Sequence, residues 1–146
     1  MASLIKFICS WFLNKGFKLI IIRSRRTPEN IIDFAKKFFL NSAVIIDFVS
    51  KEFYLSALKL SKIIIVTCDS TSMISEAAMS GRPIYVAQMP AIKKNIRFKK
   101  FFELFKSLNI IKNLEDTVEV WNYKKLNETY RISGYIEKQF KDYDFS

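Results

Sequence analysis

The sequence predicts an α/β fold, a Rossmann-like parallel sheet with helices on both faces. Two observations carry that prediction. FKLIIIRS (17–24), SAVIIDFV (42–49), KIIIVT (62–67) and IYVAQ (84–88) are short apolar runs without alternation. Strands that are apolar on both sides are strands covered on both sides. Between these runs the apolar residues fall at helical spacing, and strands alternating with amphipathic helices build parallel sheets.

Each element has its own local reason. The opening MASLIKFICSWFL (1–13) has one lysine ahead of an apolar run, a weak likeness to a secretion signal. It lacks a small-residue cleavage site and leads directly into NKG and a strand-like run, so a structural helix is expected. FKLIIIRS then follows Gly16 as the first strand. Pro28 in RRTP suits the first turn of a helix, and Ile31, Ile32, Ala35, Phe38 and Phe39 share one face of it. After SAVIIDFV, the positions Phe53, Ala57 and Leu60, with Tyr54 and Leu58 beside them, give a second amphipathic helix. KIIIVT leads into a helix from about Thr71 to Ser80. Gly81 stands where a helix end favours a left-handed residue, and Pro83 blocks continuation. Phe98, Phe101, Phe102, Phe105 and Leu108 mark a further helix after IYVAQ, and a last one is expected from about Leu126 to Phe140. No linker or repeat interrupts the 146 residues, so one domain over 1–146 is expected.

Composition narrows the chemistry. There is no histidine, which excludes Ser-His-Asp catalysis and any histidine base or metal ligand. Cys9 and Cys68 form neither a disulfide framework nor a metal-binding spacing. They read as reduced thiols of a cytoplasmic protein, and neither metal nor cofactor is expected. Lys plus Arg number 24 against 14 Asp plus Glu, a surplus of +10 that favours phosphate-bearing partners or an anionic membrane surface. No uncharged apolar run approaches the ~18 residues of a spanning helix.

Ligands of parallel sheets bind beyond the carboxyl ends of the strands. Two segments, RSRRTP and TCDSTSM, are strand-to-helix turns on that edge. The second places Asp69, Ser70, Thr71 and Ser72 at a helix N-terminus, where unpaired N–H groups and hydroxyls suit phosphate oxygens. One N-cap accounts for one of the four, and the rest exceed what capping needs. Glu76 lies too far along for a capping box and reads equally as a solvated glutamate or as an acceptor for sugar hydroxyls. Arg25 and Arg26, with Arg23 beside them, would offer bidentate charge from the neighbouring turn, against the commoner reading of a charged surface loop. Asn95 and Arg97 lie close enough in sequence to reach the same edge. KKNIRFKKFF (93–102) mixes basic and aromatic residues, but its spacing makes the phenylalanines core and the lysines solvated surface, so nucleic acid is not an expected partner.

SRRTP, DSTSMISEAAMSGRPIYV, RFKKFFELF and WNYKKLNET, in that order, resemble the bacterial and plant family named after the mitochondrial fission protein ELM1. The likeness runs from about Ile20 to about Thr129. It implies a relationship to GT-B glycosyltransferases and nucleotide-sugar epimerases, with this chain similar to their C-terminal, donor-binding half. Ser70, Thr71 and Ser72 then match the turn facing the diphosphate, Glu76 the acid contacting the ribose, and Arg25 and Arg26 the paired arginines of the family. Plant members of the family recruit a dynamin-like GTPase in mitochondrial division, a task that does not transfer literally to bacterial ones.

Four departures stand out. The phosphate turn has no glycine, Cys68 takes an acidic or polar position, Lys125 replaces a proline after Trp121 and Tyr123, and SKEFYLSAL (50–58) has lost a tyrosine-bearing turn. The expected function is therefore the nucleotide-sugar-binding half of a GT-B-like glycosyltransferase, truncated or split. Its acceptor half would come from a separate chain, and no catalytic residue is assigned. The alternative is a non-catalytic module that docks on a protein partner or peripherally on an anionic membrane.

Overall fold

The computed structural model describes residues 1–67, 71–87, 96–114 and 118–125. They form a mixed α/β structure of parallel strands with helices between them, in two compact units, Met1–Ala57 and Leu58–Ser146.

The first unit opens with α1 (Ala2–Asn14), the structural helix that its sequence predicts. Ile8, Cys9 and Phe12 form its buried face. Gly16 ends it at φ +83°, a backbone that costs glycine little, and the Gly16 N–H bonds the Leu13 carbonyl at 3.0 Å. The reversal sets the Phe17 ring edge-on against Phe12, centroids 5.4 Å apart. The chain then enters β1 (Leu19–Ile22), crosses through α2 (Glu29–Phe39) and returns in β2 (Ala43–Ile46). β1 and β2 pair in parallel, Leu19 opposite Ala43 through Ile22 opposite Ile46. α1 packs on β1 and α2, and α2 on β2. Ile20 and Val44, opposite each other in register, are exposed.

α3 (Lys51–Leu60) contains the division between the units, after Ala57. The second unit then holds β3 (Ile64–Thr67), α4 (Thr71–Ala78), β4 (Ile84–Ala87), α5 (Ile96–Ser107) and β5 (Ile111–Asn113). Its sheet is parallel, ordered β3-β4-β5. Central β4 is buried along its whole length, as a continuous apolar run in a parallel sheet should be. α4 ends as its sequence predicts, with Gly81 at φ +73° and Pro83 beyond. The Pro83 carbonyl accepts the Ile64 N–H at 2.9 Å and starts the β3–β4 pairing.

The parallel α/β class stands, with three differences of detail. The strands hydrogen-bond in two ladders, β1-β2 and β3-β4-β5, where one sheet is expected from sequence. β5 is an additional strand, too short to show a periodicity of its own. Phe38, Phe53 and Leu60, which helical spacing assigns to core faces, are 44, 50 and 77 % exposed. Phe38 stands at the flank of its helix stripe, against Phe34 at 4.5 Å between centroids. Phe53 instead meets Phe48 edge-on at 5.2 Å. Ala57 and Leu58 carry the buried side of α3. The predicted helix from Leu126 to Phe140 lies outside the described residues.

Cys9 has a measurable consequence. Burial pushes its thiol from the ordinary 9.0 up to about 11, because the apolar surroundings disfavour thiolate. In a Cys68→Ser background, alkylation of Cys9 at about pH 8 should therefore run about 100-fold slower in the native chain than in denaturant. A pKa raised on folding contributes stability below the unfolded value and loses it as the pH rises. The Cys9 contribution should accordingly decline between pH 9.0 and about 11 and be absent from Cys9→Ala. Native and denatured rates that coincide would show Cys9 to be open to solvent.

Candidate functional site

The β3–α4 junction is built by packing. Ile74, Ala77 and Ala78 are fully buried, and α4 lies against both β3 and β4. The two alanines let the helix backbone approach the sheet closely, and Ile74 anchors its first turns. The amino end of α4, Thr71, thereby follows four residues beyond Thr67, the carboxyl end of β3. The Thr71 carbonyl accepts the Ser75 hydroxyl at 3.0 Å. Ser72 and Glu76, one turn apart, are both exposed and share a side of α4. Of the residues predicted at this turn, Thr71, Ser72 and Glu76 come together on one helix. Asp69 and Ser70, with Cys68, lie outside the described residues.

The β1–α2 turn is locked by its own hydroxyls. The Ser24 N–H donates to Thr27 Oγ1 at 3.0 Å, the two hydroxyl oxygens are 3.0 Å apart, and the Thr27 N–H returns to the Ser24 carbonyl at 3.1 Å. Pro28 is extended and serves as the N-cap residue, so α2 begins at Glu29. This loop carries Arg25 and Arg26 with exposed side chains. Arg23 behaves differently. Its guanidinium pairs with Glu29 at 2.6 Å and reaches the Asp47 carbonyl at 3.5 Å, tying β1 to α2 and to the end of β2. Arg23 is thus a brace within the first unit. Arg97 is the second residue of α5. A helix that links parallel strands starts on the side where the first strand ends, so its backbone stands at the carboxyl side of the second sheet.

Sequence reasoning missed a second concave feature. An open cleft of about 340 Å³ is lined by Tyr85, Lys106, Asn109, Lys112, Asn113 and Glu119, with Ile111 at its floor. Tyr85 and Lys112 face each other in register across β4 and β5. The Glu119 N–H donates to the Tyr85 hydroxyl at 2.7 Å, and that hydroxyl donates to the Glu119 carbonyl at 3.2 Å. Lys112 binds the Glu119 carboxylate at 2.7 Å and lies 4.5 Å from the centre of the Trp121 ring. The Trp121 indole N–H donates to the Asn109 carbonyl at 2.7 Å, and Asn109 takes the left-handed φ of +58° that ends α5. Further along, the Tyr123 hydroxyl donates to the Arg82 carbonyl at 2.7 Å, and burial pushes its phenol up to about 12 against the opposing effect of a Ser80 hydrogen bond. The NIIKN segment (109–113) was the available clue, an aliphatic pair between two asparagines straight after a helix.

The Mitochondrial fission ELM1 family matches residues 1–140. The chain belongs to that family. An uncharacterized protein of Rickettsia prowazekii is 32 % identical over 138 residues, covering 89 % of this chain and 38 % of the relative. The mitochondrial fission protein ELM1 of Arabidopsis thaliana is 32 % identical over 87 residues, covering 59 % of this chain and 20 % of the relative. The chain thus spans well under half the length of either ELM1-family relative. No solved structure matches it.

The segments that carry the ELM1 likeness have distinct structural roles. SRRTP is the turn stapled by Ser24 and Thr27. ISEAAMSGRPIYV runs from α4 into β4, and RFKKFFELF is most of α5. Trp121 and Tyr123 pin the segment 118–125 to the second unit. Lys125, where a proline is expected, lays its aliphatic stem over Gly81. A Cβ added there would come within 2.7 Å of Lys125 Cε.

Proposed function

We propose that this ELM1-family chain binds the diphosphate of a nucleotide sugar, as the donor side of a GT-B-like glycosyltransferase. The observation that carries the reading is the β3–α4 junction. There a helix packed on β3 and β4 begins beyond a strand end and exposes Ser72 and Glu76 on one side. Helix N-termini in this position hold anions through backbone donors and the helix dipole. Asp69, Ser70 and Thr71 complete the polar turn in sequence. Glu76 is the acceptor for ribose hydroxyls, and Arg97, second in α5 of the same unit, adds positive charge. In this reading the acceptor side comes from another domain or chain.

Calorimetric unfolding with UDP, GDP, CMP, ADP and their sugar conjugates tests the reading. A ligand at 100 times its Kd adds about 2.7 kcal/mol of stability. One nucleotide series should stabilise the chain, and Glu76→Ala should weaken that binding at least about tenfold, a hydrogen bond to a charged group being worth about 1.5–3 kcal/mol. Unfolding curves that coincide with and without every nucleotide would overturn the proposal. A stabilisation indifferent to Glu76 would move the ligand elsewhere.

A further inference from the structure

The outward surface of α1 and α2 has a character that nucleotide binding does not use. Phe7, Phe38 and Leu40 are exposed there at 61, 44 and 65 %. Lys6, beside Phe7, places its ammonium 4.8 Å from the centre of the Phe38 ring, and Lys37 approaches the same ring at 5.8 Å. Lys15 stands 4.7 Å over Trp11 further along α1. Lysines draped over exposed aromatic rings form the pattern of an interface half apolar and half ionic.

Charge selects the partner. Residues 1–28 contain six lysines and arginines and no carboxylate, and the first acid in the chain is Glu29. Glu29 is held by Arg23 and Asp47 by Lys36, so neither is free to neutralise the α1 lysines. Asp33 is the remaining acid of α2, whereas α1 with its C-cap carries Lys6 and Lys15 and no carboxylate. Among the described residues no helix is long and apolar enough to cross a membrane. A surface of this kind lies on a bilayer instead of spanning it.

We propose that the outward surface of α1 and α2 docks on an anionic lipid membrane. Phe7, Phe38 and Leu40 enter the headgroup boundary, and Lys6 and Lys15 meet lipid phosphates. The aromatic rings supply burial, and the lysines supply attraction to an anionic leaflet that fades beyond a Debye length. This surface and the nucleotide site are separate features, and either can exist without the other.

Co-sedimentation of the whole chain with vesicles decides the matter. Phosphatidylcholine alone is compared with phosphatidylcholine carrying about 30 % phosphatidylglycerol, at about 0.1 M salt. The chain should pellet with the anionic vesicles and stay in solution with the neutral ones. Each lysine near such a surface contributes a factor of about five, so Lys6→Gln with Lys15→Gln should lower partitioning about 25-fold. Phe7→Ser with Leu40→Ser should lower it about tenfold while the circular dichroism stays native. Ile20→Ser, on the exposed β1 position, should leave it unchanged. Failure to pellet, equal pelleting with neutral lipid, or folded lysine and aromatic variants that bind like the parent would each overturn the proposal. So would release of the bound chain by heparin with no dependence on Phe7 and Leu40, which would mark a general polyanion surface.

Discussion

Phe105→Ala should destabilise the second unit by about 3–5 kcal/mol, the usual cost of truncating a fully buried phenylalanine. Phe105 has no exposed surface, stacks on Phe101 with centroids 4.2 Å apart, and accepts the Ile110 N–H on its carbonyl at 2.9 Å. The ring is buried where α5 packs on β5. Phe102 is one position along and only part-buried, so Phe102→Ala should cost much less. Urea unfolding of both variants measures the contrast. Equal midpoint shifts would mean that α5 does not seat as described.

Ile74→Ala should cost about 2–4 kcal/mol and should also weaken nucleotide binding, although Ile74 cannot touch a ligand. Its side chain is fully buried, and the neighbouring alanines are too small to collapse into the gap. Loosening α4 misaligns the N–H groups at its amino end, and a donor array that has moved loses its preorganisation. The exposed Ser72 provides the complementary measurement. Ser72→Ala should leave stability within about 0.5 kcal/mol while lowering affinity. Titration calorimetry beside urea unfolding separates the two effects. An Ile74→Ala chain that is less stable but binds normally would place the ligand away from α4.

Much of this fold was legible because its strands are simple. β1 to β4 are continuous aliphatic runs set off by glycine, proline and polar turns, and both left-handed glycines stand where helix ends require them. β5 was not legible, since three residues can neither alternate nor form a run, and its strand character comes from pairing with β4. The division of strands between two ladders depends on hydrogen bonds between distant segments, which no local pattern encodes. Phe38 and Phe53 misled for a related reason. A phenylalanine at the border of an apolar stripe satisfies the spacing rule whether it turns inward or lies along the surface under a lysine.

The two strand-to-helix turns were legible as turns, but sequence could not tell that Arg23 pairs with Glu29 while Arg25 and Arg26 have exposed side chains. That distinction rests on the geometry at the carboxyl ends of β1 and β2. The cleft beside β5 went unread because Tyr85, Lys112 and Glu119 meet only through strand register and a returning segment.

The chain contains two tryptophans, and each compact unit holds one, Trp11 in the first and Trp121 in the second. Each also sits in its own optical environment. Trp11 lies beneath the Lys15 ammonium and edge-on to Phe12, whereas Trp121 is edge-on to Tyr85 and hydrogen-bonded through its indole. Single-tryptophan variants, Trp11→Phe and Trp121→Phe, therefore turn intrinsic fluorescence into a separate gauge for each unit. Emission curves that coincide through denaturation would describe one cooperative body. Curves that part would describe two halves that melt in turn, and the order of melting would identify the weaker half.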